Sequence, residues 1–300
     1  MAVETFVNAT SVDEALEALA GGARVVAGGT DLVVLARQGK APLPPSLVAV
    51  HRVEALRGVA ATDAGLRLGA LATHGELVGH PAIRGRLTAL ADACAVVGSH
   101  ATRANGTIGG NLMNASPALD TGGPLVCLDA TAELASTGGT RRVPVADLFV
   151  GPGETCAAAD ELLTAVDIRE PAAGTGSCYL RLEYRRAMEI AVVGATAVVT
   201  LDGGRVTDAR IAITALAPTI HRVAGAEALL VGSDGGSAAS EAAGSAAAAE
   251  ASPISDVRAS AEYRRAMAAV ITRRAIDAAV TRAGGGTVPI PASAAPGVGV

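Results

Sequence analysis

At 300 residues, half of them apolar, the chain is long enough to bury a real core and to divide into two or three compact subdomains. Three Tyr, two Phe and no Trp are present, so that core must be built from Ala, Val, Leu and Ile. A net charge of −5, from 24 basic and 29 acidic residues with no long run of either sign, excludes the concentrated basic face of a nucleic-acid binder.

Ser11-Val12-Asp13-Glu14 is a capping box, and Val12, Ala15, Leu16 and Leu19 follow at helical spacing until Gly21-Gly22. Residues 24–27 form a short strand that runs into Ala27-Gly28-Gly29-Thr30-Asp31-Leu32. Leu32, Leu35 and Ala36 restart a helix closed by Gly39, and residues 47–50 are the next strand. This opening reads as helix, strand, loop, helix, strand. Residues 66–70 begin a second region, in which Leu87, Leu90, Ala91, Cys94 and Val97 mark a helix stopped by Gly98. The stretch 99–106 reads as irregular and leads into Thr107-Ile108-Gly109-Gly110-Asn111-Leu112. Gly138-Gly139 signals a hairpin, and residues 162–169 form a strand ended by Pro171. Ala172-Ala173-Gly174-Thr175-Gly176 reads as a linker. Strands around 179–182, 195–201 and 210–216 then form an antiparallel meander. An Ala-rich helical stretch and a long helix over 262–282 follow, the latter with Tyr263, Met267, Val270 and Ile271 on one face. Gly284-Gly285-Gly286 stops it.

The residues able to carry chemistry gather at the two glycine pairs. Gly28 and Gly29 permit positive φ and close approach of a ligand. They lie between a strand and a helix N-terminus, where free amides and the helix dipole favour an anion. Thr30 and Asp31 read either as caps of that helix or as partners of a ligand hydroxyl. At the second pair Thr107 offers a hydroxyl, Gly109 and Gly110 offer bare backbone, and Asn111 can fix the loop through its amide. Ala115-Ser116-Pro117-Ala118-Leu119-Asp120 adds a hydroxyl and a carboxylate on a Pro-stiffened turn. Two such loops suit a pyrophosphate held from both sides, and hence a dinucleotide. Neither a G-x-x-x-x-G-K-[ST] string nor a strand-borne G-x-G-x-x-G occurs, so Walker and Rossmann modes are excluded. Cys94, Cys127, Cys156 and Cys178 form no C-x-x-C, and His51, His74, His80, His100 and His221 show no metal-binding spacing. Only His100 stands near the second loop. The start lacks the features of a signal peptide, and no segment reaches the ~20 apolar residues of a membrane span. A cytoplasmic protein with buried thiols is expected.

The strings at 27–32 and 107–112, with Ser116-Pro117 and Asp120 after the second, resemble those of one known family. Asp160-Glu161-Leu162-Leu163-Thr164, the run from Arg185-Arg186 to Ala191, and Ala217-Pro218-Thr219 add to the likeness, which covers about residues 4–282. That family is the FAD-binding medium subunit of the molybdenum hydroxylases, which includes xanthine dehydrogenase and carbon monoxide dehydrogenase. The resemblance implies an α+β fold with an FAD-binding domain of the PCMH or vanillyl-alcohol-oxidase-like type. Its two α+β subdomains would span 1–60 and 61–174. A C-terminal domain of the CO dehydrogenase flavoprotein type, 175–284, would carry a three-stranded antiparallel sheet with helices, and 285–300 would be a disordered tail. By position, Val25, Val26, Ala27, Gly28, Gly29, Thr30, Asp31 and Leu32 would cradle the FAD pyrophosphate together with Thr107, Ile108, Gly109, Gly110 and Asn111. Asp120 would hold a flavin-side hydroxyl, Leu163 would contact FAD through its backbone, and Ile190 would lie near the isoalloxazine. Arg181 stands in the same site where relatives often carry Lys, and Thr102 and Ala104 stand where relatives tend to have Ile and Asn.

The function implied is that of an electron-transfer flavoprotein in a multi-subunit hydroxylase. A large subunit would hold the molybdenum cofactor and a small one two [2Fe–2S] clusters, in a dimer of heterotrimers without nucleic acid or membrane span. This chain would take electrons from the clusters onto non-covalent FAD and deliver them to an external acceptor, with no catalytic or metal-binding residue of its own. Thr30-Asp31 replaces the His-Ser that carbon monoxide dehydrogenases tend to show, which favours a nitrogen heterocycle, purine or nicotine-like, as substrate of the complex. The alternatives are a carbon monoxide or aldehyde dehydrogenase flavoprotein subunit, a free-standing FAD oxidase, and an assembly subunit without flavin.

Overall fold

The computed structural model describes residues 3–185 and 187–293. Its first unit comprises β1 (Thr5–Asn8), α1 (Val12–Ala20), β2 (Arg24–Val26), α2 (Leu32–Arg37) and β3 (Ser46–Ala49), with a parallel sheet in the order β1-β3-β2. The sequence reading lacks β1, because four residues are too few for an alternation to declare itself. Ser11 caps α1 by accepting from the Glu14 amide at 3.2 Å, while the Glu14 carboxylate turns back to the amide and hydroxyl of Thr10. Ala15, Leu16 and Leu19 then pack with Val48, Val50 and Leu56 in a small apolar core.

The second unit opens with β4 (Val59–Thr62) and β5 (Gly65–Gly69). A run of short helices follows: α3 (His74–Gly79), α4 (Pro81–Arg86), α5 (Thr88–Val96), α6 (His100–Asn105), α7 (Ile108–Asn114) and α8 (Gly122–Cys127). Next come β6 (Thr131–Ser136), β7 (Gly139–Pro144), α9 (Val145–Leu148), the small hairpin β8 (Phe149–Gly151) and β9 (Glu154–Thr155), and β10 (Leu162–Arg169). The antiparallel sheet runs β4-β5-β10-β6-β7. Helix residues Leu77, Leu90, Ile108, Leu112 and Leu125 share one core with the strand residues Leu66, Leu68, Leu134 and Val166. Residues 99–106 are largely helical rather than irregular: Ser99 accepts from the Thr102 amide at 3.2 Å and caps α6.

The third unit has β11 (Thr175–Leu182), β12 (Val193–Asp202), β13 (Arg205–Thr214) and the two-residue β14 (His221–Arg222), antiparallel and in that order. Helices α10 (Ala224–Leu230), α11 (Ser237–Glu250) and α12 (Ala261–Ala283) complete it. The expected meander is present, with the short β14 as an addition. The stretch read as a linker is already paired at its end, with Thr175 opposite Thr200. On α12 the buried positions are Arg264, Ala268, Ile271, Thr272, Ala275, Ile276 and Ala279, whereas Tyr263 is exposed. Alanine prevails there because the contact is very close: a Cβ on Gly244 of α11 would stand 2.5 Å from the Ala269 carbonyl oxygen.

The expected disorder of 285–300 fails for its first part. The Ala292 amide donates to Asp92 at 3.0 Å, Arg282 donates to the Pro289 carbonyl at 2.9 Å, and Ile290 packs on the core of the second unit. Buried acceptors tie this stretch down. Residues 294–300, the rest of that tail, lie outside the described residues, as does Arg186. No described helix is long and apolar enough to cross a membrane.

Candidate functional site

The first glycine motif connects β2 to α2, and Gly29 takes the left-handed conformation that bends the chain there (φ 67°). The amides of residues 28–32 donate to no acceptor among the described residues. Asp31 occupies the N-cap position without a side-chain capping bond, so the capping alternative for Thr30 and Asp31 is not realised. An uncapped helix start with a row of free amide donors is a ready site for an anion. Gly28 has a second reason to be glycine: a Cβ there would lie 2.0 Å from the Asn105 carbonyl oxygen at the end of α6.

The second motif is not a loop. Thr107 is the N-cap of α7, and its hydroxyl accepts from the Gly110 amide at 3.1 Å. The Ile108 and Gly109 amides donate to the carbonyls of Ala72 and Ala70, both at 2.9 Å, and the Asn111 amide to Thr107. Bare amides at Gly109 and Gly110 were the expectation, and these internal acceptors remove them. Gly109 is small for packing, since a Cβ would stand 2.7 Å from the Ala70 carbonyl oxygen. Gly110 is exposed, and a Cβ there would meet only the Thr107 hydroxyl, at 3.0 Å. Asn111 uses its carbonyl oxygen, accepting from the Thr121 hydroxyl at 2.7 Å and tying α7 to the start of α8. Leu163 is buried on β10 beside a bulge, and Thr164 accepts from the Ala70 amide at 3.0 Å. The backbone of 163–164 therefore lies next to the strand end that receives Gly109.

Asp120, on the turn before α8, is buried. Tyr179 donates its hydroxyl to one carboxylate oxygen at 2.6 Å, and Arg181 donates Nη1 to the other at 3.0 Å. Burial pushes this carboxyl above the ordinary carboxylate range, with Arg181 and Tyr179 pulling the other way. The segment after β11 crosses α6. Met188, in a left-handed conformation (φ 54°), donates its amide to the Gly98 carbonyl at 3.0 Å, and its sulfur lies 3.6 Å from the Thr102 hydroxyl. Tyr184, Met188 and Ile190 are exposed. Helix α6 is thus the common support: its end meets Gly28, and its entry meets Met188. His100, at its first turn, is exposed.

Two residues beside the site escape the sequence reading. Tyr179 is one; its signal is that it alternates with Arg181 along one strand. His74 is the other, buried (1 %) with its amide donating to the Gly106 carbonyl at 3.0 Å. Burial and the nearby Arg103 lower its pKa to about 4, so it is neutral. The legible sign was the capping box of Thr73 and Glu76, which sets α3 and His74 in place.

A family model described as the FAD binding domain in molybdopterin dehydrogenase matches residues 2–171. A second, the CO dehydrogenase flavoprotein C-terminal domain, matches 179–279. The chain belongs to the FAD-binding medium subunits of the molybdenum hydroxylases. It is 32 % identical to the carbon monoxide dehydrogenase medium chain of Hydrogenophaga pseudoflava, across 91 % of this chain and 95 % of that one. It is 31 % identical to a putative xanthine dehydrogenase FAD-binding subunit of Escherichia coli, across 88 % and 90 %. It is 32 % identical to the alpha subunit of the 6-hydroxypseudooxynicotine dehydrogenase complex of Paenarthrobacter nicotinovorans, across 93 % and 95 %. Among solved structures, carbon monoxide dehydrogenase from Hydrogenophaga pseudoflava superimposes with a TM-score of 0.89 at 32 % identity, covering 93 % of this chain and 97 % of that one. The subunit is therefore a flavoprotein component of an oxidoreductase. The free amides at 28–32 and the open face at Gly110 fit such a cofactor.

Proposed function

We propose that this subunit relays electrons from the [2Fe–2S] clusters of a small partner subunit to an external acceptor. A large molybdenum subunit would complete the heterotrimer, with two heterotrimers forming the assembly. The observation that carries the reading is the row of free amides at residues 28–32, abutting α6. When bound, FAD supplies a centre that can take electrons singly and give them up in pairs. The chain's own residues bind and orient it. The 28–32 amides offset the pyrophosphate charge, with Val25, Val26 and Ala27 shaping the approach and the exposed Gly110 leaving the other side clear. Thr30 and Asp31, free of capping duty, are available to hydroxyl groups of the cofactor. Thr107, Ile108, Gly109 and Asn111 hold the wall behind Gly110. Asp120 faces the flavin side, the Leu163 backbone lies alongside, and Ile190 covers the ring edge.

The absence of His-Ser at 30–31 supports a nitrogen heterocycle as the substrate of the complex. Anaerobic mixing tests the relay. The isolated subunit should be bleached by a chemical reductant yet stay oxidised with purine or nicotine-type substrates, and should be reduced by substrate once the other two subunits are added. Acid precipitation should leave the flavin in the supernatant. Bleaching of the isolated subunit by substrate would make it a free-standing oxidase instead.

A further inference from the structure

Tyr179, Arg181 and Glu183 occupy alternate positions along β11 and its exit, so their side chains share one face. The opposite face, with Cys178, Leu180 and Leu182, packs into the core of the third unit. Arg181 is therefore directed at the second unit, with only 2 % of its side chain exposed. Its Nη1 donates to Asp120 at 3.0 Å and to the Glu189 carbonyl at 3.2 Å, and its Nε donates to the Glu183 carboxylate. One guanidinium thus joins the turn before α8 to the segment that crosses α6. A cation whose role was to face a ligand would present its donors to the cofactor site. Nε and Nη1 are instead committed to protein acceptors, and Nη2 is buried in ion-pair contact with the Glu183 carboxylate.

We propose that Arg181 is a positioning residue that braces Asp120 and the 187–191 segment against each other, setting the separation of two walls of the cofactor site. Guanidinium geometry makes this possible. Its donors lie in one rigid plane, so fixing Asp120 also fixes the direction of the bond to Glu189. A lysine at this position would keep the positive charge beside Asp120 and Glu183. Its ammonium carries three freely rotating donors on a flexible stem, so it would hold a carboxylate and a carbonyl less rigidly. Tyr179 fixes the second oxygen of Asp120 and so completes one side of the brace without touching the other. The inference rests on the FAD reading for its ligand arm; the brace itself is a property of the protein alone.

Arg181→Lys and Tyr179→Phe in the full chain separate these roles. Each is compared with wild type by amide hydrogen exchange, by FAD titration and by the visible spectrum of the bound flavin. In Arg181→Lys, exchange at Met188, whose amide donates to Gly98, should accelerate about tenfold or more, as expected for the loss of one charge-assisted hydrogen bond. Amides in β12 and α12 should keep their protection. FAD should bind about tenfold more weakly, and its main visible band should lose the resolved shoulder of a rigid, water-poor site. Tyr179→Phe should weaken FAD binding and leave Met188 protected. Unchanged Met188 exchange in Arg181→Lys overturns the brace, whatever becomes of the flavin. A wild-type chain that takes up no FAD overturns the functional reading, and the exchange comparison then decides the brace without ligand. Should Arg181→Lys fail to fold, the neutral pair Asp120→Asn with Arg181→Gln removes both buried charges together and leaves only the partly exposed Glu183 without its partner. Release of Met188 in that pair supports the brace, and retained protection overturns it.

Discussion

Gly28 and Gly110 lack side chains for different reasons, and the difference is testable. A methyl group at Gly28 cannot coexist with the Asn105 carbonyl, so Gly28→Ala should push the first motif away from α6. Gly110 has open space around it, and Gly110→Val should strain only the Thr107 cap, about 1 kcal/mol. Both variants should lose flavin, but only Gly28→Ala should also melt several degrees lower. Circular dichroism and the flavin-to-protein absorbance ratio distinguish the two, and full flavin content in Gly110→Val would make that motif a plain helix start. His74 sets a pH dependence. Its pKa falls from 6.5 unfolded to about 4 folded, so the unfolded chain binds the extra proton between those values. The stabilising contribution of neutral His74 is complete above pH 6.5 and is lost as pH falls towards 4, by at most roughly 3 kcal/mol. His74→Leu should flatten that part of the melting-temperature profile. An unchanged slope would place the acid sensitivity elsewhere.

At the scale of elements, the legible features were those that repeat or that a helix cap spells out. The alternation and β-branched runs of β12 and β13 and the length of α12 are readable without tertiary knowledge. Helix α6 is not, because His100-Ala101-Thr102-Arg103-Ala104-Asn105 carries no apolar stripe and has no fully buried residue. What makes it helical is the Ser99 cap and its neighbours on either side. The second glycine motif shows the same limit from another direction. Its string identified the family, but the acceptors that occupy its amides, Ala70 and Ala72, come from a distant strand end that no local pattern announces. Since α6 supports both Gly28 and Met188, its cap should matter beyond its own length. Ser99→Ala is expected to cost about 1 kcal/mol of stability and to weaken FAD binding, read by denaturant unfolding and flavin titration. A loss of stability with unchanged flavin affinity would show that α6 is not the shared support.

Across the whole molecule, the second and third units are joined by a buried charge. Asp92 on α5 is fully buried and receives both terminal nitrogens of Arg282 on α12, at 2.6 and 3.1 Å, together with the amides of Tyr179 and Ala292. Desolvation raises its carboxyl pKa, and Arg282 and the amides act against that. The same arginine holds the Ser177, Val288 and Pro289 carbonyls, so a single side chain fastens α12, β11 and the returning tail to the helical layer of the second unit. A buried pair of this kind adds little over an apolar pair of the same shape, but removing one partner leaves the other charged and dry. Arg282→Met should therefore cost roughly 3–5 kcal/mol, about ten degrees of melting temperature in a chain of this size. Asp92→Asn combined with Arg282→Met should recover much of that loss, because no uncompensated charge remains. Truncation after Gly286 should cost less than Arg282→Met, since it removes the Ala292 amide and two carbonyls but leaves the ion pair. Flavin content per folded molecule should stay at the wild-type level in all three variants, because neither member of the pair bonds to residues 28–32 or to the Asp120 carboxylate. Differential scanning calorimetry with flavin quantification provides the check. A double variant no more stable than Arg282→Met would mean that the tail and strand contacts, rather than the charge, hold the two units together.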